Sequence, residues 1–76
     1  MKIEEFIVQF TEEFEMTESS EITPETEFKV LDEWDSLLSL SIIGMVQNSF
    51  KVKINGKDIN STKTVQELFD LIQSRM

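Results

Sequence analysis

The chain contains no cysteine, no histidine and no tyrosine. The first two absences exclude disulfides, Cys/His zinc sites and Ser-His or Cys-His nucleophile pairs within the chain. Any chemistry performed on this protein must therefore use a reactive group brought from elsewhere. Long apolar runs are missing too: none approaches the roughly 20 residues that span a bilayer, and the opening MKIEEFIVQF lacks the uninterrupted apolar stretch of a signal peptide. The expectation is a soluble, cytoplasmic protein with no membrane insertion. Basic residues are scarce, seven Lys and Arg against fifteen Asp and Glu, for a net charge of −8. Such a balance repels nucleic acid and anionic membranes and favours partners with basic surfaces.

The charge is unevenly placed. Residues 1–35 carry twelve acids and two lysines, a net of −10, whereas residues 36–76 carry three acids and five bases, a net of +2. Electrostatic recognition is expected to concentrate on the first part. At 76 residues the chain is expected to form one domain, residues 1–76, because a chain of this length buries only about 60% of its unfolded surface and supports one small core.

Helical periodicity dominates. Ile3, Phe6, Ile7, Phe10 and Phe14 recur at helical spacing with Glu and Gln on the other faces, which predicts an amphipathic first helix. Thr17 to Glu27 is polar and holds the only proline; Thr23-Pro24-Glu25 predicts one short turn opened by a capping hydroxyl. Phe28, Val30 and Leu31 interrupt that polar connection and are expected to tuck into the bundle. A second helix is predicted from Ser36 to about Phe50, capped by Asp35, with Leu37, Leu40, Ile43, Val46 and Phe50 on its buried stripe and Ile42 and Met45 widening it. Gly44 within it costs about 1 kcal/mol against alanine, which predicts close packing of a neighbour, with room for a bound chain as the other reading. Residues 51–60, KVKINGKDIN, read as a loop leading to a short helical turn at Gly56 to Asn60, although Asn55-Gly56 is also a hairpin signal. Thr64-x-x-Glu67 is a capping box opening a last helix with Val65, Leu68, Phe69 and Ile72 inward. The pattern predicts an all-α fold, a small up-and-down bundle of three main helices plus a short one.

Ser36 stands where the acidic connection gives way to a run without charge. Asp35-Ser36-Leu37 is too short to be specific alone, but it does not stand alone. The chain resembles the acyl carrier protein family, the free-standing bacterial type of fatty acid and polyketide-like assembly systems, along nearly its whole length. Ile22-Thr23-Pro24-Glu25-Thr26-Glu27-Phe28 is similar to that family's loop, Asp35-Ser36-Leu37 to its attachment motif, Phe50-x-Val52-x-Ile54 to the end of its second helix, and Thr64-Val65-x-Glu67-Leu68 to the opening of its last.

The resemblance implies a non-enzymatic carrier in which Ser36 bears covalent 4'-phosphopantetheine, derived from coenzyme A, with Asp35 and Leu37 completing the motif. The implied partners are a phosphopantetheinyl transferase and acyl-loading, condensing and acyl-transfer enzymes, met by a monomer. A helix start tolerates the phosphodiester's negative charge, and the charge of Asp35 is expected to hold the arm outward. One departure stands out: relatives carry carboxylates along the second helix, where this chain has Leu38, Ser41, Gln47, Asn48 and Ser49. Its partner surface is therefore expected to be uncharged, formed by Leu38, Ser41 and Met45, which points to a dedicated partner set such as one building a specialised lipid or saccharide. Trp34, before the motif, reads equally as a partner contact or as a lid over the loop core. An aminoacyl carrier of the alanyl type, and a helical interaction module without an arm, are the alternatives. Neither a catalytic residue nor a metal ligand is expected, since Asp32, Glu33 and Asp35 lack the spacing of a calcium loop.

Overall fold

The computed structural model describes residues 2–76. Among them the regular structure is helical, with α1 at Ile3–Glu12, α2 at Ser36–Phe50, α3 at Gly56–Asn60 and α4 at Val65–Ser74. Short 3-10 turns at Ser19–Glu21 and Phe28–Val30 punctuate the long connection between α1 and α2. Helix α1 packs on α2 and α4, and α3 bridges α2 to α4.

Local capping chemistry explains why Asn55-Gly56 starts a helix and not a hairpin. The Asn55 side chain accepts the Asp58 N–H at 3.0 Å while the Asp58 carboxylate accepts the Asn55 N–H at 2.9 Å, a reciprocal capping box. Arg75, just past α4, donates two hydrogen bonds of 2.7 Å to the same carboxylate. These bonds hold Asp58 below its ordinary carboxylate range, the Arg75 side chain first and the Asn55 N–H second. At α4 the box expected from Thr64 and Glu67 is only half formed. Thr64 Oγ1 accepts the Glu67 N–H, but the Glu67 carboxylate turns to the N–H of Lys63. Helix α2 ends at Lys51 in the left-handed region (φ 59°), with its ammonium on the Asn48 carbonyl.

All seven aromatic rings of the chain, six Phe and one Trp, join in one connected cluster with centroid separations of 5.0 to 6.4 Å. Phe6 links to Phe50 and Phe69, whereas Phe10 links to Phe14, Phe28 and Trp34. The α1 stripe and the α4 stripe are buried as their periodicity predicts, with Ile3 only partly covered.

Helix α2 corrects the sequence reading. Its buried residues are Leu38, Ile42, Met45 and Val46, while Leu37 and Leu40, expected inside, are 73% and 64% exposed. The helix is rotated by about one residue from the expected stripe. The cause is that its fifteen residues carry no charge, so no polar face marks which side must stay out.

The long connection is moored at several points. Ile22 and Phe28 enter the core, and Leu31 packs against it. Val30, expected to tuck in with them, points outward instead. The carbonyls of Pro24 and Thr26 accept the first-turn N–H groups of α4, from Gln66 at 2.9 Å and Val65 at 3.0 Å, supplying acceptors for donors that a helix start cannot pair internally. The turn at Thr23–Thr26 is closed by the Thr26 N–H on the Thr23 carbonyl and by the Thr23 N–H on the Thr26 hydroxyl. The turn expected at Thr23-Pro24-Glu25 is thus present, and the two 3-10 turns lie on either side of it.

Candidate functional site

Ser36 is the first residue of α2 and is exposed. Asp35 precedes it in extended backbone and caps the helix: its carboxylate accepts the Leu38 N–H at 2.8 Å and its carbonyl accepts the Ser39 N–H at 3.0 Å. The predicted cap is therefore present, and Asp35, Ser36 and Leu37 stand together at the surface.

Two open clefts flank this start. On the α1 side, one of about 280 Å³ is lined by Glu13, Glu15, Glu33 and Asp35 together with Leu37, Leu38 and Ser41. On the α3 side, a groove of about 480 Å³ is lined by Trp34, Asp35, Ser36, Ser39, Leu40, Ile43, Gly56 and Asn60. Ser36 lines the second and not the first. Among the described residues no hydrogen bond joins the Ser36 hydroxyl to a basic side chain.

The expected partner surface changes in composition. Ser41 is exposed, but Leu38 and Met45 are each only 7% exposed and belong to the core. Leu37 and Leu40 are exposed instead, and with Ser41, Gly44 and Asn48 they make an uncharged outer face on α2. Gly44 is not packed on a neighbour, as nothing lies within 4 Å of where its Cβ would be. Trp34 is half-buried. It stacks on Phe10 at 6.4 Å and meets Phe28 edge-on at 5.0 Å, closing the core, while its remaining surface lines the α3-side groove.

Sequence reasoning missed Glu33. Its carboxylate accepts the backbone N–H groups of Glu15 and Met16, the latter at 3.1 Å, and the Thr17 hydroxyl at 2.9 Å. Desolvation pushes this carboxyl up, but the donors from Glu15, Met16 and Thr17 outweigh it and leave Glu33 below its ordinary value. No local pattern announces the contact, because its partners lie 16 to 18 residues earlier.

The chain matches the family described as Phosphopantetheine attachment site over residues 5–72. A comparison with curated proteins gave no match, and one with solved structures gave none. Among the described residues no helix is long and apolar enough to cross a membrane. With that match running from α1 into α4, the chain belongs to the phosphopantetheine attachment family, consistent with an acyl carrier protein, whose domains bear covalent 4'-phosphopantetheine and are generally non-catalytic.

Proposed function

We propose that this chain is a single-domain, monomeric, cytoplasmic acyl carrier, itself not an enzyme, in which Ser36 bears the arm. The observation that carries this reading is the placement of an exposed serine at the capped start of α2, within the family match and lining a groove whose one charged lining residue is Asp35. In the transfer, the Ser36 oxygen forms a bond to the phosphorus that bears the pantetheine in coenzyme A. The pyrophosphate P–O bond breaks, adenosine 3',5'-bisphosphate leaves, and the serine proton passes to a base of the transferase. The attached thiol supplies the thioester chemistry that a chain without cysteine cannot.

The uncharged face of Leu37, Leu40 and Ser41, with the rim of Trp34, is the surface offered to partner enzymes. The carboxylates of the α1-side cleft supply attraction from a distance. This arrangement favours a dedicated set of acyl-processing partners over housekeeping fatty acid enzymes that read carboxylates on α2. The test is intact-mass analysis of the protein and of Ser36→Ala after incubation with coenzyme A, magnesium and a broad-specificity transferase. One arm gained by the parent and none by the variant supports the proposal; an unmodified parent with several transferases, or a modified variant, overturns it.

A further inference from the structure

Glu33 stands three residues before the proposed attachment serine, and the carrier reading uses it only as one carboxylate of the α1-side cleft. It accepts hydrogen bonds from Glu15, Met16 and Thr17, so one side chain draws the exit of α1 against the entrance of α2 and closes the long connection into a loop. The next residue, Trp34, is seated against Phe10, Phe14 and Phe28, and the one after caps α2. Three consecutive side chains thus fix the backbone that delivers Ser36: a clamp, an aromatic anchor and a cap.

We propose, resting on the carrier reading, that Glu33 is a positioning residue for arm attachment, holding the segment that leads into Ser36 in the one conformation a phosphopantetheinyl transferase accepts. Loop closure costs entropy that grows slowly with length, so the chain around Glu33 is only lightly committed without a local tie. Trp34 and Asp35 keep the fold together when the tie is released, and the fraction of molecules with Ser36 correctly presented falls. A transferase then meets less of the competent form, and its apparent affinity drops in proportion to that fraction.

The clamp also responds to acid. The groups facing Glu33 are Glu13, Glu15 and Asp35 in one cleft and Glu21 and Asp32 in the apolar recess beside Met16 and Leu31. None of them is basic, so protonation has no ion pair to oppose it. The folded-state value of Glu33 lies below its ordinary one. The clamp is therefore fully present above the ordinary carboxylate range and lost as pH falls through the lowered value.

Steady-state arm transfer with the parent, Glu33→Gln and Glu33→Ala tests the proposal, with the transferase, coenzyme A and magnesium held constant. The expected result is a transferase KM for the carrier raised roughly 3-fold by Gln and 10-fold by Ala, with kcat little changed. Amide NMR of the unmodified protein supplies a readout free of activity. The Met16, Thr17 and Ser36 amides should shift together as the parent is acidified, and in Glu33→Gln the Met16 and Thr17 response should vanish and that of Ser36 should shrink. Parent KM values in both variants, or a Ser36 amide whose titration is the same in parent and Glu33→Gln, would overturn it. Failure of the parent to accept an arm overturns the carrier reading instead, so the two failures are distinct.

Discussion

The two flanks of α2 differ in charge, in size and in what they expose. The α1 flank brings four carboxylates to a small cleft, whereas the α3 flank is larger and has Asp35 as its one charged lining residue. Both begin at the same capped helix start, so the difference arises from what lies opposite: the acidic exit of α1 and the loop on one side, and the small, polar α3 on the other. The lesson is a division of labour. In the proposed carrier the acidic flank would act at long range on basic partners, and the α3 flank, where Asp35 is the one charged lining residue, would take the arm.

Removing the support common to both flanks should have the largest effect. Phe10 is fully buried and touches Phe6, Phe14, Phe28 and Trp34, and Phe10→Ala is expected to cost about 3–5 kcal/mol in denaturant unfolding. Because a domain of this size has only about 5 kcal/mol or so to lose, most of the molecule should unfold and both clefts vanish together. Asp35→Ala comes next: losing the N-cap should cost about 1 kcal/mol and loosen Ser36, which chemical denaturation and α2 amide exchange would show. Retention of full stability would mean the cap contributes nothing.

Gly44→Ala should act in the opposite direction. Nothing stands within 4 Å of the added Cβ, so the helix should gain up to about 1 kcal/mol. The substitution lies on the uncharged face, so it also asks whether partners approach that surface closely. A more stable variant with poorer turnover by a partner enzyme would show that they do; unchanged turnover would move the contact to Leu37 and Leu40. The smallest effect is expected from Glu13→Gln with Glu15→Gln. Partner association should slow by roughly 2-fold at low salt and converge with the parent at high salt, where exposed charges are screened. Equal slowing at all salt concentrations would remove long-range attraction from the role of the acidic flank.

Acid should remove the contribution of Asp58 to stability. Its folded value is lowered chiefly by Arg75, so its contribution is present above the ordinary range and lost as pH falls through the lowered value. Arg75→Ala should flatten that part of the stability profile.

Much of the fold was legible because charge and apolar residues alternate at helical spacing in α1 and α4. In α1, Glu4, Glu5, Gln9 and Glu12 around Phe6, Ile7 and Phe10 leave one face available for burial. Helix α2 lacks that contrast, and its phase was misread. A weaker signal was present: Leu37, Ser41, Gly44 and Asn48 fall on one face and Leu38, Ile42 and Met45 on another, so small and polar residues already marked the outer side. The site was legible in its local parts, the Asp35 cap and the Ser36 start. Its long-range part was not, since the bonds from Glu33 to Met16 and Thr17 depend on how the loop returns, which no periodic pattern encodes.

Chemical-shift mapping of the protein before and after arm attachment tests the division of labour most directly. The account predicts attachment at Ser36 with changes at Ser39, Leu40, Ile43 and Asn60 and quiet amides at Glu13 and Glu15. Changes concentrated at Glu13 and Glu15, with the α3-side groove unaltered, would contradict it.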